Sequence, residues 1–222
     1  MLINALATRA LMSCRQAVMA SQSASVPGFP FTSVVPVSMT LDGQVIALLG
    51  ETAHHTRNIA IDPRVSMLLH DDLEDNWQAA TRLSVLGRMR PLAADVANFE
   101  QLKESFYLLH PELTDFDSAP DFHFWVLDSV QFRLTSGCGK PQWIEQIKPD
   151  LLELTTSDRL KFNDILAKQG IQGHIVQATR YGLQIIANGR VRFLSIAEPI
   201  DQINELFKLI STRQFNDPAL ID

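Results

Sequence analysis

The sequence predicts a β-rich α+β protein, in which a six-stranded antiparallel barrel, closed or split, precedes a small α+β module. One observation is that about six segments rich in β-branched and aromatic residues occur before residue 136, with few helical segments between them. Another is a change of pattern near residue 145, after which two helical segments enclose three short strands. We therefore divide the chain into a barrel domain, residues 1–145, and a C-terminal α+β domain, residues 150–222.

The strands of the barrel are recognised from apolar runs separated by turn signals. We predict an opening helix and then strands at residues 17–21, 31–39, 45–49, 65–69, 81–90 and 122–134. Asp42-Gly43 is typical of a hairpin turn, and Pro36 indicates a bulge or an edge position because proline has no N–H for a ladder. Apolar positions at helical spacing predict an amphipathic helix over residues 93–109.

The second part of the chain begins after a predicted linker, residues 141–149. A helix is expected over residues 157–169, followed by strands at 173–178, 183–187 and 191–196 and a final helix over 201–214. Asn188-Gly189 indicates a tight turn between the last two strands. Few polar groups converge in this part of the chain. We therefore expect it to contribute to packing or to dimer formation rather than to catalysis.

The composition of the chain limits which binding partners and which cellular compartment are expected. The chain has 222 residues and a formal net charge of -6, so long-range attraction to nucleic acid or to an anionic membrane is not expected. Arg9 and Arg15 interrupt the apolar N-terminal segment, which argues against a signal peptide or a membrane span. Cys14 and Cys138 are too few for a disulfide framework and lack metal-type spacing. A reducing, cytoplasmic location fits this pattern, with a single bridge as the alternative.

The segment most suggestive of chemistry is residues 50–69, which is predicted to fold as a strand end, a short helix and a strand. Thr52 is expected to cap the helix and Pro63 to end it. Within two turns this helix presents six polar residues: Thr52, His54, His55, Thr56, Arg57 and Asn58. Such a set suits an anionic group, phosphate above all, although a polar surface helix is the structural alternative. Adjacent histidines point to different sides of a helix, so we expect at most one to face a ligand.

An ordered series of motifs resembles the FMN-binding split-barrel superfamily, which is related to pyridoxamine 5'-phosphate oxidases. The chain is most similar to its haem-utilisation, HugZ-type branch. The motifs are Gly-Phe-Pro-Phe-Thr-Ser-Val-Val-Pro at 28–36, Asp-Gly at 42–43, His-Thr-Arg-Asn at 55–58, Asp-Pro-Arg-Val-Ser at 62–66 and Arg-Leu-Ser-Val-Leu-Gly at 82–87.

This resemblance implies a homodimer of six-stranded split barrels, with FMN or a haem-type ligand held in clefts at the subunit interface. It places the phosphate of FMN at the short helix, the isoalloxazine ring along the strand that begins near Pro30, and further contacts on the strand that begins near Arg82. The FMN-binding residues that it implies are Ser33, Val34, Val35, His55, Thr56, Arg57, Asn58, Arg82 and Ser84.

Two departures from the family shape the functional prediction. Enzymes that make pyridoxal phosphate usually carry an arginine where Ser33 stands, so that activity is not expected. The haem-utilisation branch often has a His-Met-Asn-x-Asp-His motif, whereas residues 154–166 contain no histidine. We therefore predict an FMN-dependent oxidoreductase of unidentified substrate. The alternatives are a haem-binding protein that uses the same cleft and a binding module without cofactor. No catalytic residue and no metal ligand is assigned.

Overall fold

The computed structural model of the protein describes residues 2–40, 42–70, 80–137, 139–196 and 198–212. The first part of the chain folds as α1 (Leu2–Met12), β1 (Gln16–Gln22), β2 (Pro30–Met39), β3 (Val45–Gly50), α2 (His54–Ile61), β4 (Arg64–His70), β5 (Arg82–Pro91), α3 (Phe99–Leu109), a 3-10 helix (Pro111–Ser118), β6 (Phe122–Thr135) and β7 (Gln142–Ile144). The second part folds as β8 (Leu151–Leu152), α4 (Thr156–Lys168), β9 (Gly173–Thr179), β10 (Gly182–Ala187), β11 (Arg190–Ser195) and α5 (Ile203–Thr212).

The first seven strands form one antiparallel sheet in the order β3-β2-β1-β4-β5-β6-β7. Additional pairing between β3 and β6 closes six of these strands into a barrel. The predicted β-rich α+β class and the six-stranded barrel are therefore confirmed. The prediction of a linker over residues 141–149 is wrong at β7, which pairs with β6 and adds a seventh strand.

The barrel is split where β2 moves away from β3. The ladder between these two strands joins only Val37–Met39 to Val45–Ala47. The N–H of Val37 donates to the carbonyl of Arg15 on the β1 side at 2.9 Å, so the nitrogen of Pro36 lies on the β3 side. Because proline has no N–H, it cannot extend the ladder in that direction. The expected edge position of Pro36 is confirmed.

The second sheet has the order β11-β10-β9-β8 and packs between two helices and the barrel. On one face, Phe162 of α4 and Phe207 of α5 stack with their ring centroids 4.0 Å apart. Toward the barrel, the Gln177 amide donates to the carbonyl of Met39 at 3.2 Å, and the Gln184 amide donates to that of Met12 at 2.9 Å. Whether residues 150–222 form a separate domain stays a prediction.

Three further predictions concern the ends of elements and the cysteines. The helix expected over residues 93–109 begins only at Phe99, after Asn98 in the left-handed region with a φ of 62°. The final helix is described to Thr212, and the end predicted at residue 214 lies outside the described residues. Cys14 is buried, with its Sγ 3.5 Å from the carbonyl oxygen of Ala10, whereas Cys138 lies outside the described part. Within the described ranges, no helix has the length and apolar character needed to cross a membrane.

Candidate functional site

A cleft of about 340 Å³ lies at the split of the barrel. One wall is the part of β2 before Val37, which does not pair with β3. The floor is the C-terminal end of β3. The start of α2 and the 3-10 helix complete it. Twelve residues line the cleft: Val34, Val35, Pro36, Leu48, Leu49, Gly50, Thr52, Ala53, His55, Leu113, Phe116 and Phe122. Most of these side chains are apolar, which suits a flat ring system.

The N-terminus of α2 opens onto this cleft without a side-chain cap. Its N-cap residue is Ala53, with an extended backbone (φ -68°, ψ 146°), and no side chain of the described residues accepts a hydrogen bond there. The prediction that Thr52 caps the helix is therefore wrong, because Thr52 stands one residue too early. The first amides of α2 consequently keep their donor capacity and their partial positive charge. An anionic group in the cleft would be favoured at this end.

Of the residues predicted to bind FMN, three line the cleft: Val34, Val35 and His55. Ser33 lies next to them on β2 and is half-buried. His55 is also half-buried, and its burial, together with the neighbouring charge of His54, lowers the pKa of its imidazole. His54 instead points outward and packs on Phe31, with ring centroids 5.7 Å apart. As expected from helix geometry, only one of the two adjacent histidines faces the cleft.

Thr56 and Asn58 are buried and are used by the fold itself. The Thr56 hydroxyl donates to the carbonyl of Gly50 at 2.7 Å, which fixes α2 to the end of β3. The Asn58 amide donates to the Ser21 hydroxyl at 3.0 Å, and its oxygen accepts from the N–H of Ala24 at 2.9 Å. These bonds attach α2 to the turn between β1 and β2. The phosphate contacts that were predicted for both residues stay predictions.

Arg57 differs from its buried neighbours because its side chain is exposed on α2. No described residue forms a hydrogen bond or an ion pair with its guanidinium. A cation one turn from the uncapped helix start is thus available to an anionic ligand.

Arg82 and Ser84 lie on the outer face of the sheet, away from the cleft of their own chain. The strand register sets Val34, Val18, Leu68, Ser84 and Arg133 opposite one another in a single row across β2, β1, β4, β5 and β6. Three strand spacings, about 14 Å, therefore separate Ser84 from the cleft wall. Arg82 lies in the next row and donates to the carbonyl of Gly137 at 3.3 Å.

This outer face also exposes large apolar side chains. Val34 is 64% exposed, Leu86 37% and Trp143 57%. The guanidinium of Arg133 lies over the Trp143 ring, 5.7 Å from its centroid. Surfaces of this kind are common where proteins associate.

Sequence reasoning missed the contribution of the 3-10 helix. Leu113 and Phe116 form a wall of the cleft, but a short 3-10 helix has no apolar period that would mark it in the sequence. The only local signal was Pro111 after the predicted end of α3.

Residues 3–151 match the family described as CREG, beta-barrel. The chain belongs to this family. The match spans the whole barrel, including every residue that lines the cleft of this CREG-family chain. No curated protein matches the chain.

Solved structures share the fold of this CREG-family chain at low sequence identity. A heme binding protein from Mycobacterium smegmatis is 18% identical, with a TM-score of 0.59, over 95% of this chain and 97% of that one. Atu2129 of Agrobacterium tumefaciens, a protein of unknown function, is 17% identical with a TM-score of 0.67, over 95% and 94%. Campylobacter jejuni ChuZ is 19% identical with a TM-score of 0.57, over 65% of this chain and 59% of that one. The split-barrel fold that the predicted resemblance implies is confirmed.

Proposed function

We propose that this protein binds FMN in the cleft at the barrel split and acts as an FMN-dependent oxidoreductase. The observation that carries the proposal is the uncapped N-terminus of α2 opening onto an apolar cleft. A phosphate suits the free amides at the N-terminus of α2, and an isoalloxazine ring suits the apolar cleft.

Each part of FMN then has a place among the residues of the chain. Val34, Val35 and Pro36 would lie along the ring, and the first amides of α2 would bind the phosphate. Arg57 would supply the compensating charge. When bound, the flavin would supply the transfer of electrons or hydride.

We infer that a second copy of the chain closes the cleft. The cleft is open toward the outer sheet face, where Val34 itself is largely exposed. A twofold axis parallel to the strands would set β2 of one copy over the β6 side of the other. The side of the face that carries Arg82 and Ser84 would then approach the cleft of the neighbouring copy, which would give these two residues their predicted contacts.

The homodimer is tested by the mass of the protein in solution. Leu86→Arg places a charge in the middle of the outer face and should convert a dimer into a monomer. Leu160→Arg is the control, because Leu160 is also an exposed leucine, at 66% against 37% for Leu86, but lies on α4. A monomeric wild type, or dimers in both variants, would contradict the proposed face.

FMN binding is tested by quenching of flavin fluorescence, with riboflavin as a ligand that lacks the phosphate. Arg57→Ala should weaken FMN binding about tenfold, because a charge-assisted contact to phosphate is lost. The affinity for riboflavin should not change. Arg64→Ala is the control, since it removes an exposed arginine that already pairs with Asp62. Equal affinities for FMN and riboflavin in the wild type would refute the phosphate site.

Haem binding is the second candidate, and His55 favours it. A neutral imidazole on the wall of an apolar cleft has the chemistry of an axial haem ligand. The Mycobacterium smegmatis heme binding protein also shares the fold over nearly the whole chain. Titration with haemin should then produce a Soret band that is altered in His55→Ala and unaltered in His54→Ala. Absence of binding for both haemin and FMN would support a module without cofactor.

A further inference from the structure

A second cavity, of about 360 Å³, lies beyond the end of β2 that is distant from the cleft. It is bounded by the turn between β2 and β3, by the end of β5 and by the segment that leads into α3. Four residues of extended chain, about 13 Å, separate Thr40 in this cavity from Pro36 on the wall of the cleft. The second cavity is therefore a site distinct from the one proposed for FMN.

Of the described residues that line the second cavity, Asp42 alone carries a carboxylate. Its Oδ1 accepts from the hydroxyl of Thr40 at 2.6 Å, and the same hydroxyl accepts from the N–H of Gln44 at 2.9 Å. Thr40 is only 7% exposed, so the turn holds the carboxylate through a buried group. No described residue forms an ion pair with Asp42. Its charge is therefore available to a cationic group of a ligand.

The cationic group of the second cavity is the guanidinium of Arg90 on β5. Its Nε donates to Oδ2 of Asp128 at 2.8 Å, and Oδ1 of Asp128 accepts from the Gln44 amide at 3.4 Å. This contact uses only one of the N–H donors of the guanidinium. Within the described ranges, the two amino groups of Arg90 have no hydrogen-bond partner. They can therefore bind a carboxylate through two parallel hydrogen bonds.

The side of the second cavity near α3 is mostly apolar. Leu92, Val96 and Leu102 line it. Leu102 is 8% exposed and belongs to the apolar cluster between α3 and the barrel, so this wall is fixed by packing. A wall of this kind suits the hydrocarbon part of a small molecule.

We propose that the second cavity binds a free α-amino acid with an apolar side chain. The α-carboxylate binds Arg90, and the ammonium group binds Asp42. The side chain of the amino acid packs on the apolar wall near α3. A free amino acid carries both charges on one carbon, so it matches a cavity that offers one available carboxylate and one available guanidinium edge. The proposal does not depend on the binding of FMN.

The protein side of the proposal is tested by isothermal titration calorimetry with L-leucine, L-methionine and L-phenylalanine. Asp42→Asn removes the charge but keeps an acceptor for Thr40 and a favourable turn before Gly43, and it should weaken binding at least about tenfold. Arg90→Gln should weaken binding to a similar extent. Arg88→Gln is the matched control, because Arg88 is an exposed arginine on the same face of β5 that does not line the second cavity. Its affinity should equal that of the wild type.

The ligand side is tested with two analogues of leucine that each lack one charge. Isoamylamine has no carboxylate and isocaproate has no amino group, so each should bind at least about tenfold more weakly than L-leucine. The proposal is overturned if none of the three amino acids gives saturable binding at millimolar concentration, if either analogue binds as well as leucine, or if Asp42→Asn retains full affinity. Arg57→Ala should leave amino-acid binding unchanged, and a loss in that variant would instead place the amino acid in the cleft.

Discussion

Helices α2 and α4 begin in opposite ways. At α4, the Thr155 hydroxyl accepts from the N–H of Asp158 at 3.1 Å, and the Asp158 carboxylate accepts from the N–H of Thr155 at 3.1 Å. At α2, Ala53 offers no such acceptor. The capped helix covers a sheet, whereas the uncapped one opens onto a cleft. Of these two helices, the one that covers a sheet has its first amides satisfied by side chains, and the one beside the cleft leaves them available.

The two helices also differ in what they bury. Phe162 and Leu166 of α4 are fully buried among apolar side chains. Helix α2 buries Ile59 together with the polar Thr56 and Asn58. Apolar packing holds much of α4, although its buried Arg159 also donates to the carbonyl of Val176 and to the hydroxyl of Ser105. Directed hydrogen bonds hold much of α2. Hydrogen bonds fix the orientation of a helix more narrowly than apolar packing does, as a binding site requires.

The largest effect is expected for Phe162→Ala on α4. Removing a fully buried aromatic ring that stacks on Phe207 should lower the free energy of unfolding by about 3–5 kcal/mol. Ile61→Ala on α2 is the counterpart, because Ile61 is 75% exposed and its removal should change stability by less than about 0.5 kcal/mol. Urea unfolding measures both. A similar loss of unfolding free energy in the two variants would contradict the proposed difference in packing between α4 and α2.

A smaller loss is expected for Asn58→Ala. The change leaves the Ser21 hydroxyl and the Ala24 N–H without their partner, which should destabilise the protein by about 1–3 kcal/mol. It should also release α2 from the turn between β1 and β2, seen as faster hydrogen exchange in both segments. Asn58→Asp retains an acceptor for Ala24 and should recover part of the loss. Unchanged exchange at α2 would show that packing alone positions it.

The smallest effects concern the caps themselves. Thr155→Ala should cost about 1 kcal/mol of unfolding free energy and leave FMN affinity unchanged. Ala53→Ser adds the missing acceptor, so it should stabilise the protein by about 0.5 kcal/mol while weakening FMN binding. Thermal unfolding and fluorescence titration separate the two outcomes. Tighter FMN binding in Ala53→Ser would mean that the start of α2 does not receive the phosphate.

Much of the fold could be predicted from local pattern, but of the cleft only Val34, Val35 and His55 were among the predicted site residues. Alternating apolar residues and the Asp42-Gly43 turn locate the strands because both signals lie within a few residues. β7 has only three residues and exists because β6 offers it a partner, so no local signal defines it. The N-cap position of α2 depends on where the chain turns after Gly50. The predicted N-cap, Thr52, therefore lies one residue before the observed one, Ala53. The cleft itself arises where two strands fail to pair, and that event is visible only in three dimensions.

The missing hydrogen of Pro36 has a consequence for the energetics of binding. An open seam between two strands would ordinarily be unstable, since the free N–H and C=O groups of each strand attract the other. Here Pro36 has no N–H for the next rung, because its ring closes on the backbone nitrogen, and this holds whether or not a ligand is present. The cleft is therefore preorganised: a ligand need not break strand pairing to enter. A ligand that entered here would therefore lose no binding free energy to breaking a rung at Pro36.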